Sequence, residues 1–160
     1  MDVWRSGSIS TFNTAFRFNE TTKFDLYSNT ALASNTDYTL TLNIGVPATF
    51  GYSGSTIQLW SWDGGAGIHL LGTRVVGAGE LVPDAVNGVV GSFSLNYTSP
   101  SDISAISGSL FVRMQNTTAA GFTDYDNLSI TAVPEPSTYG MVFGAALLAL
   151  VASRRRWKKA

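Results

Sequence analysis

No cysteine occurs in these 160 residues, which excludes disulfides, thiolate metal sites and cysteine nucleophiles together. Histidine is nearly absent: His69 is the only one, so a Ser-His-Asp triad would have to be built on it, and no Gly-x-Ser-x-Gly motif accompanies it. Flanked by Ile68, Leu70 and Leu71, His69 reads as an ordinary strand residue rather than a base. Charge is sparse, and basic charge is sparsest in the body. Residues 1–138 hold only Arg5, Arg17, Lys23, Arg74 and Arg113 against all eleven acids, a net charge of −6. Phosphate neutralisation needs clustered Lys and Arg, so no nucleic-acid partner is expected. The opening Met1-Asp2-Val3-Trp4-Arg5 has neither the basic start nor the apolar run of a secretory signal, so export is expected to depend on residues encoded upstream of Met1.

What is plentiful points to β-sheet. Aromatic residues make up 12% of the chain and 16 glycines punctuate it, a composition that favours strands with many turns. Period-2 alternation is clearest at Tyr38, Leu40, Leu42 and Ile44, and it recurs at Ile57 and Leu59, at Phe93, Leu95 and Tyr97, and at Leu110, Val112 and Met114. Weaker candidates at 12–18, 23–27, 68–76 and 124–131 bring the expectation to about eight strands. Turn clusters such as Asp63-Gly64-Gly65 and Ser99-Pro100-Ser101-Asp102 separate them. Short strands at this spacing predict an all-β fold, an antiparallel β-sandwich of jelly-roll type over residues 1–132.

Two groups in the body are candidate ligand sites. Alternation puts Trp60 and Trp62 on the face opposite Ile57 and Leu59, where they are expected to be exposed together as a platform for sugar rings, although tryptophans in sandwiches also serve as core or sheet cover. Asp126 falls on the same alternating face as Leu128 and Ile130, which reads as inward. A buried carboxylate needs hydrogen bonds or a cation, so either backbone hydrogen bonds closing a sheet edge or a calcium site using Asp124, Asp126 and Asn127 is expected. Calcium is the one cofactor considered. Carboxylate pairs such as Asp63 with Glu80 or Asp84 have the chemistry for glycoside hydrolysis, but sequence fixes no separation between them. No enzymatic activity is expected.

The tail is the most distinctive part. Val133-Pro134-Glu135-Pro136-Ser137-Thr138 is expected to resist regular structure, because two prolines remove donors and hold their neighbours extended. Residues 139–153 form an apolar run, followed by Arg154, Arg155, Arg156, Lys158 and Lys159. Counted from Tyr139 to Trp157 at roughly 1.5 Å per residue, a helix spans about 27 Å, enough to cross a hydrocarbon core with arginines snorkelling. The positive-inside rule keeps residues 154–160 cytoplasmic and the body outside.

This order of a Pro-Glu-Pro segment at 133–138, a short apolar helix and an Arg-rich end resembles the PEP-CTERM sorting signal of bacteria. The resemblance implies export, a membrane stage, and processing near the Pro-Glu-Pro motif by an exosortase, a membrane protease-transpeptidase. It also implies a surface or extracellular-matrix component, structural or adhesive in role. The strands around 37–45 and 125–130 are similar to those of galactose-binding-like jelly rolls, which supports the fold. The alternative reading of the body is a carbohydrate-binding module of that fold, with polysaccharide as partner and Trp60 and Trp62 as its platform.

Overall fold

Alternation along the chain sets the faces of the strands. In β3 (Thr36–Val46) Tyr38, Leu40, Leu42, Ile44 and Val46 are each at most 2% exposed, because successive side chains of a strand point to opposite sides. In the computed structural model, which describes residues 16–18, 23–48, 51–65, 67–83, 86–117 and 123–134, the other strands are β1 (Phe16–Phe18), β2 (Phe24–Ala31), β4 (Ser55–Trp62), β5 (Ile68–Val76), β6 (Val89–Thr98), β7 (Ser109–Asn116) and β8 (Thr123–Pro134). The expectation of about eight strands holds.

The strands form two antiparallel sheets, ordered β1-β8-β3-β6 and β2-β7-β4-β5. Of the connections, only the one between β4 and β5 stays within a sheet. That order is the jelly-roll arrangement. The inner faces meet in one core: Leu40, Leu42, Ile44, Tyr125 and Leu128 from the first sheet pack with Leu26, Ile57, Leu59, Leu110, Val112 and Met114 from the second. Fully burying a side chain of this size contributes about 1.5–3 kcal/mol. A polar tie crosses the same core, since the Tyr125 hydroxyl on β8 lies 2.8 Å from both Ser55 Oγ on β4 and Asn116 Oδ1 on β7.

One close approach requires glycine. Gly108 has φ +143°, and a Cβ there would lie 2.2 Å from the Trp62 carbonyl oxygen. The loop before β7 therefore passes directly over the end of β4, and Ser61 Oγ donates to the Ile106 carbonyl at 2.6 Å in the same place.

Two expectations change. Strand pairing runs through Val133 and Pro134, opposite Asp37 and Thr36, where irregular chain was expected. A terminal strand position tolerates proline because no further rung needs its missing N–H. The inward placement of Asp126 is also corrected. A bulge at Asn127, with φ +51°, separates the Asn43–Asp126 pair from the Thr41–Ser129 pair. One extra residue reverses the alternation, so Tyr125 and Leu128 are buried while Asp126 sits half-buried on the outer face.

Among the described residues the helical structure is a single 3-10 turn at Ala78–Glu80, and no helix is long and apolar enough to cross a membrane. The expected span at 139–153 and the basic end at 154–160 lie outside the described residues, as do Glu135, Pro136, Ser137 and Thr138 of the motif.

Candidate functional site

The outer face of the β2-β7-β4-β5 sheet is built from two adjacent cross-strand rows. Register aligns Tyr27, Phe111, Trp60 and Leu70 in one row, and Asp25, Arg113, Gln58 and Thr73 in the next. Trp62 follows on β4, paired with Ser109 and Ile68. Strand neighbours stand close enough for aromatic contacts between strands, and the first row uses this fully. The Tyr27 and Phe111 rings stack at 5.1 Å, the Phe111 and Trp60 rings lie within 14° of parallel at 6.0 Å, and Trp62 meets Tyr27 edge-on at 5.7 Å.

This packing makes Phe111 the floor of the cluster. It is 1% exposed although it points away from the sandwich core, since the half-buried Tyr27 and Trp60 flank it and the Arg113 guanidinium lies 5.7 Å from its ring centre. Arg113 also lies 5.1 Å from the centre of the Trp60 ring, a cation–π distance. Its Nε and Nη2 donate to the two Asp25 carboxylate oxygens at 2.6 Å each. That hydrogen-bonded pairing holds the guanidinium pKa above its usual value.

Trp62 is fixed from its other end. Its Nε1 donates to the Gly65 carbonyl at 2.8 Å, and Asp63 Oδ1 accepts from the Gly65 and Gly67 amides, so the Gly-rich turn before β5 braces the indole. Trp60 Nε1 donates to Gln58 Oε1 at 3.3 Å. Trp60 and Trp62 thus share the outer face as expected, but both are half-buried against Phe111 and Tyr27 instead of standing free. Exposed Ile68 and Leu70 extend the apolar surface along β5.

The opposite sheet presents hydroxyls and amides. A shallow groove of about 370 Å³ is lined by Thr41, Asn43, Ser92, Ser94 and Asn127 together with Leu42 and Phe93. Hydrogen bonds between side chains already engage part of this surface, from Ser92 Oγ to Asn43 Oδ1 at 2.8 Å and between Thr41 and Ser129 at 2.7 Å. Asp124 and Asp126 lie on this outer face with exposed Asn127 beside them, and Asp126 Oδ1 accepts the Asn127 amide at 2.7 Å. No group of three or more metal-binding side chains occurs among the described residues.

The carboxylate pair considered for hydrolysis is not brought together. Asp63 precedes β5 and Glu80 follows it, so a strand of nine residues, at roughly 3.3 Å each, lies between them. Glu80 is bound to Arg74 at 2.5 Å, and Asp84 lies outside the described residues. His69 is half-buried on β5, opposite Ser61.

Sequence reasoning found Trp60 and Trp62 and missed Tyr27, Phe111, Arg113 and Asp25. Alternation at Leu110, Val112 and Met114 puts Phe111 on the other face with Arg113, but it does not tell which strands lie beside them.

At its C-terminal end β8 runs into the sorting segment, and the model of the PEP-CTERM protein-sorting motif matches residues 132–156. The chain carries a PEP-CTERM sorting motif. Such a motif implies export to the cell envelope or surface and processing by an exosortase. No curated relative matches the sequence. Among solved structures, a cyclase from Fischerella sp. TAU in complex with 4-(1H-indol-3-yl)butan-2-one is similar over 69% of this PEP-CTERM chain and 55% of its own, at 20% identity and a TM-score of 0.56. A CBM4 structure is similar over 69% of this chain and 61% of its own, at 12% identity and a TM-score of 0.50. The chain therefore spans a little over half the length of these structures, and at such identities the likeness concerns the fold alone.

Proposed function

We propose that this PEP-CTERM protein is a non-catalytic bacterial surface protein whose β-sandwich binds polysaccharide through the outer face of the β2-β7-β4-β5 sheet. Its tail, with a membrane helix at 139–153 and basic residues at 154–160 inside, holds the body outside until processing. Sugar binding makes it an adhesive component of the envelope or matrix. The observation that carries the reading is the aromatic row of Tyr27, Phe111 and Trp60 with Trp62 beside it, bordered by the hydrogen-bonding groups of Asp25, Arg113 and Gln58. Aromatic faces take the C–H faces of sugar rings while neighbouring polar groups take hydroxyls. The likeness to a carbohydrate-binding fold supports the same reading.

The Arg113 charge is matched by Asp25 and the body is acidic, so the ligand is a neutral rather than an anionic polysaccharide. Titrating the tryptophan fluorescence of the full chain with neutral and acidic soluble polysaccharides tests this. A saturable change with a neutral polymer is the expected result. If no polysaccharide alters the spectrum while iodide still quenches it, the face is structural cover and the sugar-binding reading fails.

A further inference from the structure

β8 leaves the sandwich where the sorting motif starts. Its last four residues, 131–134, are all exposed, whereas Leu128 is 5% exposed and Ile130 packs against the core. These four are held to β3 through the backbone, Thr131 opposite Thr39, Ala132 opposite Tyr38, Val133 opposite Asp37 and Pro134 opposite Thr36. The final rung is weak. Thr36 donates its N–H to Ser99 Oγ at 2.9 Å and accepts the Ser99 N–H at 3.0 Å, both away from β8. Backbone direction alternates along a strand, so Asp37 and Thr39 face β8 and form the last hydrogen-bonded rungs, with Val133 and Thr131. Pro134 adds no donor.

β3 is held firmly from its other side. It pairs with β6 from Asp37–Thr98 to Val46–Val89, and Thr98 Oγ1 donates to the Asp37 carboxylate at 2.6 Å. Any opening therefore falls between β3 and β8 and leaves β3 in place. None of the four residues it frees belongs to the core, and the first residue back along β8 that packs against the core is Ile130.

A peptidase that binds its substrate as an extended strand must take over backbone groups that β3 now holds. We infer that residues 131–134 are a flap, hinged at Ile130, that peels from β3 to present the start of the sorting motif to the processing enzyme. While the flap is paired, the sandwich withholds Val133 and Pro134. This inference rests on the sorted-protein reading above and adds that the folded body gates processing.

The test is a reversible lock. The chain has no cysteine, so Asp37→Cys combined with Val133→Cys gives two thiols that pair only with each other within the chain. Facing cross-strand Cβ atoms about 4.5–5.5 Å apart come within disulfide reach after a small adjustment. The full-length variant, oxidised or reduced, is incubated with host membranes that process the wild-type protein, and its mass is followed. The reduced form is expected to shorten at close to the wild-type rate and the oxidised form at least tenfold more slowly. Equal rates for the two forms overturn the gate.

Amide exchange of the wild-type chain gives a readout independent of the enzyme. The Thr131 and Val133 amides are expected to exchange at least tenfold faster than that of Leu42, and equal protection overturns the flap. A wild-type chain that stays full length in host membranes sinks the sorting reading instead, and the exchange data still decide whether the flap opens.

Discussion

Arg113 on β7 and Asp25 on β2 face each other across the strand pair, both hydrogen bonds at 2.6 Å, with the guanidinium laid over the Trp60 ring at 5.1 Å. The pair is 18% and 22% exposed. One side chain thus joins the charged row of the outer face to the aromatic row, and the order of the platform depends on it.

Replacing Arg113 by Ala leaves the Asp25 carboxylate poorly solvated and uncovers Phe111. Because the pair retains some solvent, the cost sits below that of a fully buried bridge, at about 1–3 kcal/mol. Urea unfolding measures it, and a loss under about 0.5 kcal/mol would count against a structural role for the pair. Asp25→Asn keeps the shape and is expected to cost less.

The two tryptophans separate ligand binding from stability. Trp62→Ala removes an indole held by the Gly65 carbonyl and by one edge contact with Tyr27, so polysaccharide affinity is expected to fall at least tenfold with about 1 kcal/mol lost in stability. Trp60→Ala also breaks the stack with Phe111 and Arg113, at about 1–3 kcal/mol. Affinity titrations beside thermal melts distinguish the two. Unchanged affinity in both variants would rule out the platform.

Alkaline pH is expected to weaken the fold through its tyrosines. Burial pushes the Tyr125 hydroxyl well above its ordinary pKa, and burial also raises those of Tyr52 and Tyr97. In the unfolded chain these groups release protons near pH ~10, while the folded chain keeps them. Above that pH the native state holds more protons, so stability is full below about pH 10 and falls as pH rises toward the folded pKa values. Tyr125→Phe is expected to flatten this decline while costing about 1 kcal/mol at pH 7 for the lost link to Ser55 and Asn116. An identical alkaline slope in wild type and variant would refute the assignment to Tyr125.

Calcium is expected to leave the melting temperature unchanged. The bulge at Asn127 turns Asp126 outward, where it accepts a backbone amide, and Asp124 with Asp126 supplies only two carboxylates to a cation that takes six to eight oxygens. Melting curves with millimolar calcium and with chelator check this; a rise of several degrees would restore a cation site at Asp124, Asp126 and Asn127.

The sequence by itself determined the strand-forming body and the sorting signal, because both are local. Alternation at Tyr38 to Ile44 follows from the two-residue repeat of a strand, and the motif with its apolar and basic continuation is contiguous along the chain. It also placed Trp60 and Trp62 on one face. Tertiary structure alone decided what surrounds them: Tyr27, Phe111 and Arg113 reach Trp60 and Trp62 through register between strands distant in sequence, and register is set by the pairing of whole strands. The face of Asp126 was equally out of reach, because one residue in the left-handed conformation at Asn127 reverses every later side chain. Pro134 reads as a strand breaker in sequence, yet at the last rung of β8 its missing donor is not needed, and folding carries the sheet into the first residues of the sorting motif.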